Sequence, residues 1–247
     1  MAAGRRAAAD GGRMKPVVLL VPGMLNDARV WDDVAAGLHD EAEVRVADVC
    51  TQADIAGMAR DALALLSDVD PARSVVPVGF SMGGYVTIAL LAARPSRWHA
   101  AVLLATSCLP ETPEGAAGRD AAVAAFRADF EGTCRGVARR GLASKDPALH
   151  ERLLAMMRDV GMETAIRQTL GLRERADHRA ALGALALPVW VACGELDRIV
   201  PPAMSEALAA AIPGARLERI ADAGHMLPIE RPQAVVDLVR QALAHGP

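Results

Sequence analysis

Aromatic side chains are scarce in this chain: three Trp, one Tyr and three Phe amount to 3% of 247 residues. A core of stacked rings is excluded, and Val, Leu, Ile, Ala and Met must fill it from a hydrophobic fraction of 52%. Cysteine is sparse too. Cys50, Cys108, Cys134 and Cys193 show neither C-x-x-C nor zinc-type spacing, so they read as free thiols, and no disulfide scaffold, metal site or other cofactor is expected. No apolar run approaches the roughly 18 residues of a membrane span. Nor does one sign of charge dominate: 27 basic and 30 acidic residues give a net charge of -3 without a long run of either. That removes the electrostatic case for nucleic acid or an anionic membrane as partner and leaves a small molecule. Residues 1–14 lack the apolar stretch of roughly 7 to 15 residues that a secretory signal needs. They are expected to form a flexible lead-in, with Met14 an alternative start, on a soluble, cytoplasmic monomer or homodimer.

What the chain does have is short apolar runs alternating with segments of helical period, the pattern of parallel strands joined by crossover helices. Strands are expected at 17–21, 43–48, 74–78, 99–105, 188–193 and 216–220. From Asp54 onward Ile55, Met58, Ala59, Ala62, Leu63 and Leu66 place one apolar stripe along a helix. Further helices are expected over 83–94, 202–211 and through Val235, Leu238, Val239 and Ala242. Between about 107 and 185 the alternation breaks. That stretch holds helical periods only, with Val123, Phe126 and Phe130 on one face and Leu153, Met156, Met157 and Val160 on another. The expectation is an α/β chain: a mostly parallel sheet flanked by helices, built from 15–106 and 186–247, interrupted by a small helical lid over 107–185.

The expected strand over 74–78 runs through Gly79-Phe80-Ser81-Met82-Gly83-Gly84 straight into a helix, the context that a G-x-S-x-G nucleophile turn requires. A serine on so sharp a turn takes strained backbone angles, and glycines two before and two after let the chain segments approach. The helix that follows aims its N–H groups and positive dipole end at any anion forming near Ser81.

A serine hydroxyl is a weak nucleophile near neutral pH, so the motif demands a histidine base and an acid to orient it, in chain order Ser, Asp or Glu, His. Of six histidines, His225 alone follows a late strand, in Ala223-Gly224-His225-Met226. His178 reads as a surface residue of the lid and His245 as part of the C-terminal fringe. Asp197 is delivered on the loop after strand 188–193, at the carboxyl edge where α/β sites form. Glu195 shares that loop and competes for the role, and Asp222 is a further alternative. The developing oxyanion needs N–H donors: Met82, next to the nucleophile, and Met24, in the turn Val21-Pro22-Gly23-Met24-Leu25-Asn26, fit.

Pro22-Gly23 with Trp31, Gly79 to Gly84, Gly194-Glu195-Leu196-Asp197 and Gly224-His225 together make the chain resemble the α/β-hydrolase superfamily. Over 23–31 it is similar to the carboxylesterase-like group that includes pimeloyl-carrier-protein methyl ester esterases and 3-oxoadipate enol-lactonases. The resemblance implies a lid over an acyl pocket and hydrolysis of a carboxylic ester, lactone or thioester through an acyl-enzyme. In that family histidine commonly stands where Pro22 does. Perhydrolysis, carbon–carbon bond hydrolysis or lyase chemistry, and slow-turnover ligand reception stay open on the same triad. Arginines of the lid (Arg127, Arg135, Arg139, Arg140, Arg152, Arg158, Arg167) suggest an anionic substrate or a carrier protein, but acidic residues nearly balance them, so the pattern reads as a solvated helix face.

Overall fold

The computed structural model describes residues 14–245, so the expected lead-in lies outside the described residues except for Met14. Its framework is a six-stranded sheet of order β2-β1-β3-β4-β5-β6, every pair parallel. The strands are β1 (Val17–Val21), β2 (Glu43–Val46), β3 (Val75–Phe80), β4 (Ala101–Leu104), β5 (Val189–Gly194) and β6 (Arg216–Ile220). β1 shows why the sheet is buried on both sides. All five of its side chains are fully buried; Val18 and Leu20 join one core while Val17, Leu19 and Val21 join the other. The two-residue period of a strand thus feeds two layers of helices. At the end of the sheet β6 reads Arg-Leu-Glu-Arg-Ile, and its exposed charges guard the outer edge, the side not paired with β5.

One face carries α1 (Asp32–Leu38) and α11 (Pro232–Ala244), and the other α2 (Ile55–Ala64), α3 (Met82–Ala93) and α9 (Pro202–Ala210). Short α10 (Leu227–Glu230) leads into α11. Between β4 and β5 stand five consecutive helices: α4 (Pro113–Ala128), α5 (Phe130–Gly141), α6 (Pro147–Val160), α7 (Met162–Arg173) and α8 (Arg179–Gly183). Their starts are written locally. Thr112, Asp129 and Asp146 each accept a backbone N–H of the first turn of α4, α5 and α6, and Pro113 and Pro147 sit at the first helical position.

Expectations about a helix face and about strand bounds need correction: β2 ends at Val46 instead of 48, and β4 spans Ala101–Leu104 instead of 99–105. Val123, Phe126 and Phe130 do not share one helix face, because Asp129 (φ -154°) ends α4 and caps α5. Phe126 and Phe130 meet across that break, ring centroids 5.9 Å apart. In addition β3 runs two residues further than expected, to Phe80, so the strand ends directly on Ser81.

Candidate active site

Strand order reverses between β1 and β3: from β1 the chain moves outward to β2, then returns to the other side at β3. Above the carboxyl ends of two strands that diverge in this way a crevice opens, and ligands of open α/β sheets bind there. The turns after β1 and β3 are the ones that hold Met24 and Ser81.

Ser81 has φ 52° and ψ -115°, a left-handed backbone unusual for a residue with a Cβ. It is held there from several sides. Its N–H donates to Leu104 O (2.9 Å), and its carbonyl accepts from Gly84 N–H (2.9 Å) and Thr106 Oγ1–H (2.8 Å). The turn closes only because Gly83 has no side chain: a Cβ there would stand 2.1 Å from Val21 O, so glycine lets α3 begin against the end of β1.

Beside Ser81 the chain brings two distant side chains together. His225 Nε2 lies 2.9 Å from Ser81 Oγ, and His225 Nδ1 lies 2.8 Å from Asp197 Oδ2. A carboxylate only accepts, so Nδ1 carries the proton, Nε2 is the free acceptor, and the Ser81 hydroxyl donates to it. The Asp197 side chain is fully buried; its other oxygen accepts from Ile199 N–H (2.8 Å) and Val200 N–H (2.9 Å). Glu195 and Asp222 are exposed and form neither a hydrogen bond nor an ion pair with His225, so Asp197 is the acid beside the imidazole. His178 stands just before α8 without a side-chain capping bond, and His245 packs against Trp190, ring centroids 5.2 Å apart.

Met24 and Met82 face the same space as Ser81, and neither backbone N–H has an intramolecular acceptor among the described residues. Leu25 next to Met24 has φ 60°. Cysteine does not rival the serine: burial first, then the nearby Asp48 carboxylate, pushes the Cys50 thiol up to about 11, and burial pushes Cys134 up to about 11 and Cys108 upward. Among the described residues no three His, Cys, Asp or Glu side chains converge as a metal site would require.

The site opens into a cavity of about 490 Å³ with Ser81 and His225 on its wall. Phe126, Val137, Met157 and Leu172 of the inserted helices make its roof largely apolar. Two cations also line it. Arg119 is engaged by Glu111 (3.0 Å), while Arg140 pairs with no carboxylate among the described residues. The other arginines of this segment divide. Arg135, Arg152 and Arg158 pair with carboxylates, Arg167 donates to Cys50 O, and Arg127 and Arg139 stand in the last turns of α4 and α5, where a cation also complements the helix dipole.

Three supporting residues escape a reading of the sequence. Glu230 is buried and accepts from Gly224 N–H (2.9 Å), Ala143 N–H (2.7 Å) and Ser144 N–H (3.0 Å), tying the His225 loop to the α5–α6 connection. His225 N–H in turn donates to Gly141 O (2.7 Å). Thr106 holds the Ser81 carbonyl, and Gln168 touches the turn at Leu25. A lone Glu five residues beyond His225, after an apolar run, is the only local sign of the first; the other two act across long sequence separations and leave none.

Residues 16–232 match the family described as alpha/beta hydrolase fold. A pimeloyl-[acyl-carrier protein] methyl ester esterase of Neisseria meningitidis serogroup B is 27% identical over 240 residues, covering 93% of each chain. Among solved structures, a thermophilic esterase from Thermogutta terrifontis superposes with a TM-score of 0.83 at 29% identity, covering 94% of this chain and 90% of that one. The enol-lactonase from Burkholderia xenovorans LB400 gives 0.80 at 26% identity, covering 94% and 92%. With a family match spanning most of its length and both of its crevice-forming turns, the chain belongs to the α/β hydrolase fold family.

Proposed function

We propose that this protein is a serine hydrolase that cleaves a carboxylic ester through an acyl-enzyme, with Ser81 as nucleophile, His225 as base and Asp197 as its orienter. The observation that carries this reading is the unbroken relay of 2.9 Å from Ser81 Oγ to His225 Nε2 and 2.8 Å from Nδ1 to Asp197 Oδ2. Ser81 Oγ attacks the ester carbonyl as its proton passes to His225 Nε2, and the carbonyl oxygen becomes an oxyanion. The imidazolium is stabilised by Asp197, which keeps its charge. The N–H groups of Met24 and Met82 receive the oxyanion, each worth about 3 kcal/mol of barrier, or roughly a hundredfold in rate. Collapse breaks the C–O bond, the alcohol departs with the proton from His225, and the acyl group stays on Ser81. Water, deprotonated by His225, then attacks the acyl carbonyl, and the acid leaves as Ser81 regains its proton.

The inserted helices act as a lid over the acyl group. Their apolar roof supports a substrate with an aliphatic acyl chain, and the unpaired Arg140 supports one that carries an anionic group near the pocket mouth. A methyl ester of a carrier-bound acyl chain, the substrate named for the Neisseria relative, fits that description. Turnover of a p-nitrophenyl ester series of increasing chain length, with fluorophosphonate labelling, tests the reading. Wild type should turn over many times and label, and Ser81→Ala should do neither. Hydrolysis that survives in Ser81→Ala would exclude it. Perhydrolysis and carbon–carbon hydrolysis use the same three residues and would appear as better turnover of peroxide or of a diketone than of any ester.

A further inference from the structure

The Met24 turn is held from outside the sheet. Leu25, at φ 60°, donates its N–H to Gln168 Oε1 (2.9 Å), and Gln168 Nε2 donates to Val49 O (2.9 Å). Gln168 is fully buried in α7, and it joins the turn after β1 to the loop after β2. Around it α7 is seated directly on that second loop. Arg167 donates to Cys50 O, and a Cβ on Gly171 would stand 3.0 Å from Ala53 O. The adjacent Thr169 lines the cavity, its hydroxyl 3.6 Å from Met24 Sδ. This is a helix locked against the turn that holds Met24 and the neighbouring loop after β2, with one amide spanning both.

We infer that Gln168 is a positioning residue for the oxyanion turn, so that α7 serves as a fixed brace of the catalytic machinery. The inference rests on the reading of Ser81 as nucleophile and of Met24 as oxyanion donor. A left-handed backbone at a residue with a Cβ persists only when its surroundings over-determine it, and a buried N–H and C=O without partners are strongly disfavoured. Without Gln168, Leu25 is released to an ordinary conformation. The Met24–Leu25 peptide then reorients, the Gly23–Met24 peptide joined to it at the Met24 Cα shifts with it, and the Met24 N–H leaves the place where the oxyanion forms. The apolar roof that holds the acyl chain is untouched by that rotation. Ground-state binding is therefore retained while transition-state stabilisation is lost.

Gln168→Met in the full-length protein removes both hydrogen bonds at nearly constant volume, and Leu153→Ala, at a buried position of α6 that does not line the cavity and makes no hydrogen bond to the turn, reports loss of stability alone. For Gln168→Met the expectation is a kcat lower by roughly tenfold or more with KM within about twofold. A trifluoromethyl ketone, whose adduct with a serine bears an oxyanion, should lose affinity by the same factor. Leu153→Ala should lower Tm without either change. Gln168→Glu keeps the acceptor for Leu25 N–H but can donate to Val49 O only when protonated. Its activity should exceed that of Gln168→Met and rise, relative to wild type, as the pH is lowered. If Gln168→Met fails to fold, this pH response alone decides the matter. An unchanged kcat, a rise in KM without a change in ketone affinity, an equal kcat loss in Leu153→Ala or a Gln168→Glu profile parallel to wild type overturns the inference. Fluorophosphonate labelling separates the two levels: an unlabelled wild type sinks the Ser81 reading itself, whereas a labelled wild type with a normal Gln168→Met variant sinks only the brace.

Discussion

Asp197 has no direct contact with Ser81, yet its two oxygens are committed to opposite tasks. Oδ1 accepts Ile199 and Val200 N–H and so fixes the carboxylate, while Oδ2 faces His225 Nδ1. An amide in its place offers the imidazole an N–H and selects the wrong tautomer, with Nε2 protonated and unable to accept from Ser81. Asp197→Asn should therefore lower kcat by roughly 10³- to 10⁴-fold with little change in KM, measured on any turned-over ester. The pairing of Ser81, Asp197 and His225 was legible in the sequence because each stands in a local context with a mechanical reason: strand into helix, loop after a strand, glycine before histidine. Glu230 and Gln168 were not legible. Their partners, Ala143 and Leu25, lie far along the chain, and a buried carboxylate or amide looks like any other polar residue until the fold brings a backbone N–H to it.

At the scale of elements, α3 and the inserted helices depend on glycine in opposite ways. Gly83→Ala places a Cβ 2.1 Å from Val21 O, where only backbone could move, so α3 must separate from β1. A loss of more than about 3 kcal/mol is expected, seen as insoluble or unfolded protein by circular dichroism. Gly136, inside α5, would meet nothing nearer than Arg139 at 3.9 Å. Gly136→Ala should stabilise the helix by about 0.5 to 1 kcal/mol, raising Tm without altering kcat. The strands were readable because buried parallel strands are short unbroken apolar runs, and β1 matches its expected bounds. The helices of the insertion were harder. Their apolar spacing continues past Asp129 as though α4 did not end there, while the capping aspartate and Gly132 that end it give a weaker signal than the stripe. Helix α1 went unread because its seven residues are too few for a periodic pattern to emerge.

The molecule as a whole is closed at the neck of the insertion. Arg175, leaving α7, donates to Leu109 O (3.1 Å) and pairs with Glu111 (2.6 Å), while its guanidinium lies 4.7 Å from the Tyr85 ring centroid on α3. The stretch before α4 and the stretch after α7 are thereby fastened to α3, the helix that follows Ser81. Burial opposes ionisation of Glu111, but hydrogen bonds from Arg175 and Arg119 more than offset it and hold its carboxyl below the ordinary 4.5. Because the folded value is the lower one, the pair stabilises the protein above pH 4.5 and loses that contribution as the pH falls through the folded value. Glu111→Gln should lower Tm by roughly 5 to 10 °C near pH 7, with the gap to wild type shrinking below pH 4.5. A gap independent of pH would mean that packing, not charge, closes the neck.

The proposed mechanism, built on the relay from Ser81 through His225 to Asp197, requires one covalent intermediate, an acyl group on Ser81. Acid quenching of the enzyme during turnover of a p-nitrophenyl ester, followed by mass spectrometry of the peptide that contains Ser81, looks for it directly. An adduct of acyl mass on Ser81, present in wild type and missing in Ser81→Ala, is the predicted result. Turnover with no acyl group on that peptide, or an adduct on another residue, would contradict it.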